Sequence, residues 1–134
     1  MRLKIRNDLE EMARLREAVV GFAQENSLSE DIVFTLDLCL EELVTNVIFY
    51  GYEDQNEHLI DVRLNLVDGV LILQIIDDGK EFDPTDLPAP NLDIPLEERK
   101  IGGLGVHLVR NYVDSMEYKR DGRQNELIIR KKVM

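Results

Sequence analysis

Apolar residues recur every three or four positions in two stretches near the N-terminus, a spacing that predicts two amphipathic helices. The first helix is predicted to begin after Asn7-Asp8, because a glutamate three positions after each residue can complete a capping box. The second is predicted to begin at Ser29, a favourable N-cap residue, and to continue to about Tyr50. The apolar stripes are Leu9, Met12, Leu15, Val19 and Phe22 in the first helix and Ile32, Leu36, Cys39 or Leu40, Leu43 and Val47 in the second.

The spacing changes to every second position after the second predicted helix. Apolar residues alternate with polar ones from Ile60 to Leu66, which predicts a strand with one polar face. Asp68-Gly69 is a two-residue hairpin signal, and the apolar run from Val70 to Ile76 predicts the returning strand.

Shorter segments complete the pattern. Residues 3–6 predict an edge strand, residues 117–120 and 126–131 predict a second hairpin around Asp121-Gly122, and an apolar stripe predicts a third helix from Val106 to Met116. The resulting order, β-α-α-β-β-loop-α-β-β, indicates an α+β protein. We expect a two-layer α/β sandwich in which helices cover one face of a mostly antiparallel sheet.

Composition and charge narrow the possible functions. The 134 residues suffice for one domain, and a single cysteine excludes an intramolecular disulfide. Neither a membrane-spanning apolar run nor a signal-peptide core is apparent, so we expect a cytoplasmic protein without membrane contact. A net charge of −11 disfavours direct nucleic-acid binding, whereas a small anion would need backbone N–H groups, a helix N-terminus or a divalent cation.

Glu42 and Asn46 are the first candidate for chemistry. They lie four positions apart on the second predicted helix, so they project together beside the apolar stripe. A carboxylate can act as a general base, and an amide oxygen can bind Mg²⁺. Helix surfaces carry such pairs frequently, so a solvent-exposed pair without function is the simpler interpretation of this segment alone.

Asp77-Asp78-Gly79 is the second candidate, at the end of the predicted buried strand. Asp77 can accept a hydrogen bond from the amino group of a nucleobase, and Gly79 lets the backbone approach a flat ligand. The simpler interpretation is a turn that ends the strand.

Gly102-Gly103-Leu104-Gly105, directly before the third helix, is the third candidate. Glycines and a helix N-terminus together suit a phosphate, although the segment is neither a P-loop nor a dinucleotide-binding fingerprint. A flexible hinge is the alternative. All four prolines precede it within residues 84–95, in a loop longer than compact domains usually contain.

The order of these segments is more specific than any one of them. E-x-x-x-N, D-x-G and G-G-x-G resemble the N, G1 and G2 boxes of the GHKL ATPase superfamily. Residues 42–46 followed by Gly51-Tyr52, and residues 77–79 followed by Phe82-Asp83-Pro84, are similar to motifs of its stand-alone bacterial branch, the anti-sigma-factor serine/threonine protein kinases. The resemblance extends over essentially the whole chain and implies one histidine-kinase-like ATPase domain, residues 1–134.

The resemblance also implies a role for each site residue. Glu42 would accept the proton of an attacking serine hydroxyl, Asn46 would coordinate Mg²⁺, and Asp77 would bind the adenine amino group. Gly79 would leave room for the base, residues 83–101 would form an ATP lid, and the phosphates of ATP would be wrapped by Gly102, Gly103, Leu104 and Gly105.

The implied activity is transfer of the ATP γ-phosphate to a serine of an anti-anti-sigma (STAS-like) partner, combined with sequestration of a sigma factor. A homodimer through the first strand and first helix is also implied. A nucleotide-dependent binding module without kinase activity, and a related domain that has lost nucleotide binding, remain alternatives.

Three positions depart from the family pattern: Tyr50 replaces a usual His, Val47 a usual Ala, and Ile101 a frequent Arg.

Overall fold

The computed structural model describes residues 1–86 and 103–133, which form one antiparallel sheet and a layer of helices. The strands are β1 (Arg2–Arg6), β2 (Leu59–Val67), β3 (Val70–Asp77), β4 (Ser115–Asp121) and β5 (Gln124–Lys132). The helices are α1 (Glu11–Glu25), α2 (Glu30–Cys39), α3 (Thr45–Tyr50) and α4 (Gly103–Tyr112). None of these helices combines the length and hydropathy needed to cross a bilayer.

The strand order is β1-β2-β3-β5-β4, and each neighbouring pair is antiparallel. The predicted two-layer α+β architecture is confirmed. Strand β3 lies at the centre, where Leu73 stands opposite both Leu64 of β2 and Ile129 of β5. The apolar alternation of these strands faces the helices, so the core lies between the two layers.

The predicted stripes supply most of this core. Cys39 is 1% exposed, and burial raises the pKa of its thiol to about 12, so it packs as a small apolar side chain. The residues buried from the first two stripes are Met12, Leu15, Val19, Ile32, Leu36, Cys39, Leu40 and Leu43. Leu9 was expected among them but is 45% exposed, because α1 begins only at Glu11.

The second predicted helix contains a local widening. Ser29 caps α2 as expected, its hydroxyl oxygen accepting the Ile32 N–H at 3.3 Å. The chain then passes without a break through a π-helical segment, Leu40–Val44, into α3. Such wide turns are frequent at functional sites, and this one carries Glu42.

The third predicted helix is wrong at its C-terminal end. Helix α4 stops at Tyr112, and Met116 instead lies on β4 opposite Ile129. The backbone N–H of Asp114 donates to the Arg130 carbonyl at 2.9 Å, and its carboxylate accepts the Lys132 N–H at 2.6 Å. Pairing with β5 therefore overrides the helical spacing of the apolar residues.

The two predicted hairpins differ in how well their turns were placed. Asp68 and Gly69 both have positive φ, 50° and 76°, as the expected two-residue turn requires. The second turn lies one residue later than predicted, since Asp121 pairs with Gln124 and the loop is Gly122-Arg123. Gly122 has φ of 59°, a conformation that favours glycine.

A buried carboxylate joins β1 to α1. Glu11 is 7% exposed and accepts hydrogen bonds from the Arg14 guanidinium at 2.7 Å and the Arg6 backbone N–H at 2.9 Å. The bond from Arg14, followed by that from the Arg6 backbone, lowers the pKa of Glu11 to about 2.

Replacing Glu11 by alanine is expected to lower the free energy of unfolding by about 1–3 kcal/mol, because the partly buried donors of Arg6 and Arg14 lose their shared acceptor. The lowered pKa means that this stabilisation is fully present above pH 4.5 and is lost as the pH falls towards 2. Urea denaturation at pH 7 and at acidic pH measures both effects. Glu10→Ala, an exposed neighbour, is the matched control, and an equal loss in that variant would contradict the assignment.

Candidate functional site

A cavity of about 250 Å³ lies between the end of the helical layer and the core-facing side of the sheet. Two of the predicted site residues, Asn46 and Asp77, contribute to its wall, and the remaining wall is largely apolar. Its lining residues are Leu43, Asn46, Val47, Tyr50, Gly51, Ile75, Asp77, Lys80, Phe82, Pro84, Tyr118, Asn125 and Leu127. The E-x-x-x-N and D-x-G segments therefore meet at one site.

Asp77 is the last residue of β3 and is held in one orientation. Its Oδ1 atom accepts the Gly79 backbone N–H and the Asn125 side-chain amide, each at 2.9 Å. No described group donates to Oδ2, which leaves that oxygen as an acceptor for a ligand in the cavity. Asp77 is 7% exposed, and burial raises the pKa of its carboxyl group.

Asn125 is a site residue that the sequence analysis missed. It stands opposite Asp77 in the β3–β5 register and also donates to the Lys80 carbonyl at 2.9 Å. Its own oxygen accepts the Tyr118 hydroxyl at 2.5 Å and the Arg120 guanidinium at 3.1 Å. One signal was available: the alternation of β5 places Asn125 on the same face as Leu127 and Ile129, where a polar residue is unusual.

Gly79 is required by a close backbone contact. A Cβ atom at this position would lie 2.5 Å from the Gly51 carbonyl oxygen and 3.0 Å from Asp77 Oδ1. The same Gly51 oxygen accepts the Lys80 N–H at 2.8 Å. The turn after β3 thus packs directly on the turn after α3, and the predicted role of Gly79 beside a base remains a prediction.

Glu42 lies against the first turn of α4 rather than in the cavity wall. A Cβ atom at Gly105 would overlap its carboxylate, with 2.6 Å to Cδ, so the absence of a side chain at 105 makes room for Glu42. The N-terminal end of a helix favours a negative charge. The structure therefore brings the first and third predicted segments together at this point.

Asn46 carries an unpaired polar group. Its side-chain Nδ2 atom is buried and has no hydrogen-bond partner within the described residues. Buried amide groups are nearly always hydrogen-bonded, so this unpaired donor in the cavity wall fits an acceptor group of a ligand. Two of the positions that depart from the family pattern, Val47 and Tyr50, line the same cavity.

Part of the predicted site lies outside the described residues. This applies to Gly102, to Ile101 and to residues 87–101 of the predicted lid. At the start of that segment, Pro84–Asp86 forms a short 3₁₀ turn, in which the Asp83 carboxylate accepts the Thr85 N–H at 2.9 Å. Gly103 and Leu104 belong to the first turn of α4.

An ion-paired histidine fastens the loop after α3 to the D-x-G turn. His58 contacts Asp54 Oδ1 through Nε2 at 2.7 Å and Asp78 Oδ1 through Nδ1 at 3.1 Å. Its ring stacks on Tyr52 with centroids 4.1 Å apart. Asp54, and to a lesser degree Asp78, raises the pKa of His58, because the two carboxylates favour the charged ring.

The stability of the protein is expected to decrease as the pH rises through the raised pKa of His58. The stabilisation from the charged ring is fully present below the unfolded value of 6.5 and is lost above the folded pKa. His58→Gln should remove this part of the pH dependence, measured as thermal unfolding midpoints between pH 6 and 9. His107→Gln, which alters no ion pair of the described residues, is the control. An equal loss of pH dependence in both variants would contradict the role of His58.

Comparisons with known proteins show the family of this chain. A family model for the histidine kinase-like ATPase domain matches residues 5–131. The serine/threonine-protein kinase BtrW of Bordetella bronchiseptica is 29% identical over 96 residues, which is 72% of this chain and 68% of that protein. The anti-sigma F factor of Clostridium beijerinckii is 24% identical over 124 residues, or 92% of this chain and 87% of that protein.

Solved structures support the same fold. The histidine kinase domain of the blue-light activated histidine kinase from Erythrobacter litoralis EL346 superposes with a TM-score of 0.56 at 17% identity, over 77% of this chain and 45% of that chain. The histidine kinase AdeS of Acinetobacter baumannii superposes with a TM-score of 0.52 at 20% identity, over 75% of this chain and 47% of the AdeS chain. This chain thus spans less than half of either solved chain.

The resemblance seen in the three motifs is confirmed, because the family model covers nearly the whole chain and the fold is shared. The chain belongs to the histidine kinase-like ATPase domain family.

Proposed function

We propose that this chain binds MgATP and transfers the γ-phosphoryl group to a serine of a partner protein, as an anti-sigma-type regulator. The observation that carries the proposal is the apolar cavity whose wall holds one unshared carboxylate oxygen, on Asp77, and one buried, unpaired amide, on Asn46. A flat base with an exocyclic amino group matches the first of these. An acceptor such as a phosphate oxygen matches the second, because the unpaired Nδ2 atom is a hydrogen-bond donor.

The residues present fit the proposed ligand. Asp77 Oδ2 would accept from the adenine amino group, while the base would lie among aromatic and apolar side chains that include Tyr50 and Phe82. The backbone N–H groups at the start of α4 would hold phosphate. Asn46 would contribute one oxygen to Mg²⁺; the described residues contain no cluster of three metal-binding side chains, so phosphate and water would complete the coordination.

Glu42 would act as the general base. When bound, MgATP supplies the transferable phosphoryl group. The Glu42 carboxylate would accept the hydroxyl proton of an incoming serine, which increases the nucleophilicity of that oxygen. Its contact with Gly105 supports this role, because the carboxylate lies next to the α4 terminus that would hold the phosphates.

The relatives support the regulatory part of the proposal. One relative is named a serine/threonine-protein kinase, and others are named anti-sigma F factors. By this likeness the serine would belong to an anti-anti-sigma (STAS-like) protein, and the sequestered partner would be a sigma factor. We extend the proposal to a cytoplasmic homodimer.

Calorimetric titration with ATP, with and without Mg²⁺, tests nucleotide binding. We expect binding that depends on Mg²⁺ and that is weakened in Asn46→Ala. Transfer of label from γ-labelled ATP to a purified STAS-like protein of the same genome then tests the kinase activity. Binding without transfer would favour the nucleotide-dependent binding module, and a folded protein that binds no adenine nucleotide would refute both functions.

Gly105→Ala is expected to reduce phosphoryl transfer by about 10²-fold, because the added methyl group displaces the Glu42 carboxylate. The fold should persist, since the displaced atoms are the flexible end of a side chain. Thermal melting and single-turnover transfer measure the two effects. Gly21→Ala, where a Cβ meets nothing within 4 Å, is the matched control; transfer at the wild-type rate in Gly105→Ala would contradict the role of this contact.

A further inference from the structure

An exposed apolar cluster lies on the helical layer, apart from the residues that line the cavity. Phe34 of α2 is 54% exposed and contacts Tyr112 of α4 edge to face, with ring centroids 5.5 Å apart. Tyr112 is 42% exposed, and Leu108, one helical turn before it on the same face of α4, is 39% exposed. Single exposed apolar side chains are ordinary, whereas several on adjacent helices are typical of surfaces that bind a partner.

The stretch of sequence that carries α2 is strongly acidic. Residues 17–62 contain eleven Asp and Glu residues and no Lys or Arg. The charge of this stretch therefore equals the net charge of the whole chain, −11. The rest of the sequence is electrically balanced. Helix α2 lies inside this stretch, and its exposed carboxylates at Glu30, Asp31 and Asp37 flank Phe34 on the helix surface.

These carboxylates are not neutralised within the described part of the chain. None of Glu30, Asp31 and Asp37 forms an ion pair there. By contrast, Glu41, farther along the same helical run, is paired with Arg16. The apolar cluster therefore has an acidic rim that is available to positive charges from outside.

We propose that Phe34, Leu108 and Tyr112, with the acidic rim of α2, form a docking surface for a basic amphipathic helix of a partner protein. Apolar residues at helical spacing in that partner would cover the cluster, and its Lys or Arg side chains would meet the carboxylates. Opposite charges at such a rim accelerate association and select the partner. This surface is separate from the nucleotide site and does not depend on the proposed function.

The same charges argue against the other occupants. A nucleic acid would place phosphates against Glu30, Asp31 and Asp37, which is repulsive. A second copy docked by the same face would bring two sets of these carboxylates together, which is also unfavourable. A basic protein segment satisfies both the apolar cluster and its rim.

The test uses a synthetic amphipathic helix of about 18 residues, or five turns, with leucine on one face and lysine on the other. A matched peptide carries glutamate in place of lysine. The full chain is titrated with each peptide by calorimetry, and backbone amide resonances are followed by NMR. We expect the basic peptide to bind, the acidic peptide not to bind, and the largest shifts to fall on α2 around Phe34 and on α4 around Tyr112.

Two variants separate the cluster from its rim. Phe34→Ser should lower the affinity for the basic peptide by about tenfold or more, since loss of a central aromatic contact commonly has an effect of this size. Asp37→Lys should lower the affinity for the basic peptide severalfold and reduce the dependence of that affinity on salt concentration. Val67→Ser, which removes an equally exposed apolar side chain at the β2–β3 hairpin, is the matched control and should bind as the wild type does.

Three results of the peptide experiments would overturn the proposal. These are equal binding of the acidic peptide, amide shifts confined to other surfaces, and unchanged affinity in Phe34→Ser. Sedimentation of the wild type and of Phe34→Ser tests whether a second copy of the chain covers this surface. A dimer that dissociates only in the variant would assign the surface to a second copy instead.

Discussion

Glutamine at position 42 is expected to lower the rate of phosphoryl transfer by about 10²–10⁴-fold while MgATP still binds. Glutamine keeps the size of the side chain against Gly105 but cannot accept a proton from serine. Single-turnover transfer to the purified serine-bearing partner measures the chemical step, and calorimetry measures nucleotide affinity. Loss of transfer with retained binding would identify Glu42 as the general base.

The neighbouring glutamate provides a matched control. Glu41 is exposed and paired with Arg16, so Glu41→Gln should transfer at close to the wild-type rate. Equal rates of transfer by Glu42→Gln and the wild type would refute the proposed role of Glu42 as the general base. If neither protein transfers phosphate but ATP still changes partner affinity, the chain is a nucleotide-dependent binding module.

Asp77→Asn is expected to weaken ATP binding by about 10–150-fold, the effect of losing one hydrogen bond to a charged group. The direction follows from the contacts of Oδ1, which the Gly79 N–H and the Asn125 amide hold in place. An asparagine oxygen would occupy that position, so its NH₂ group would replace Oδ2. A donor would then face the adenine amino group, which is also a donor.

Asp78→Asn tests whether this effect is specific to Asp77. Asp78 is adjacent and exposed, and its carboxylate pairs with His58. We expect Asp78→Asn to bind ATP nearly as the wild type does and to change mainly the pH dependence of stability. Comparable loss of ATP affinity in both variants, measured by calorimetry, would show that general negative charge rather than the Asp77 acceptor matters.

Local features of the fold were readable from the sequence because they depend on neighbouring residues. The Ser29 cap needs only Ile32, and the Asp68-Gly69 turn needs only backbone conformations that those two residues tolerate. The apolar stripes of α1 and α2 similarly follow from the period of the helix. In the site, the order of the three motifs and their resemblance to a known family selected Glu42, Asn46 and Asp77, whereas the spacing within any one motif did not.

Predictions failed where a distant partner decided the outcome. Met116 has helical spacing from Val113 and Val109, yet hydrogen bonds between Asp114 and β5 place it in the sheet. Asn125 was overlooked because nothing within its own segment connects it to Asp77. The π-helical turn at Leu40–Val44 likewise has no counterpart in the spacing of apolar residues.

The first two helices, most strand positions, the first hairpin and the three motifs could be predicted from sequence alone, since each arises from periodicity, capping or turn chemistry within a few residues. How these pieces meet depends on tertiary packing. Sheet register joins Asn125 to Asp77 across 48 positions, and helix packing sets Glu42 on Gly105 and Phe34 against Tyr112. Such contacts depend on which surfaces pack together, and local spacing carries no information about that choice.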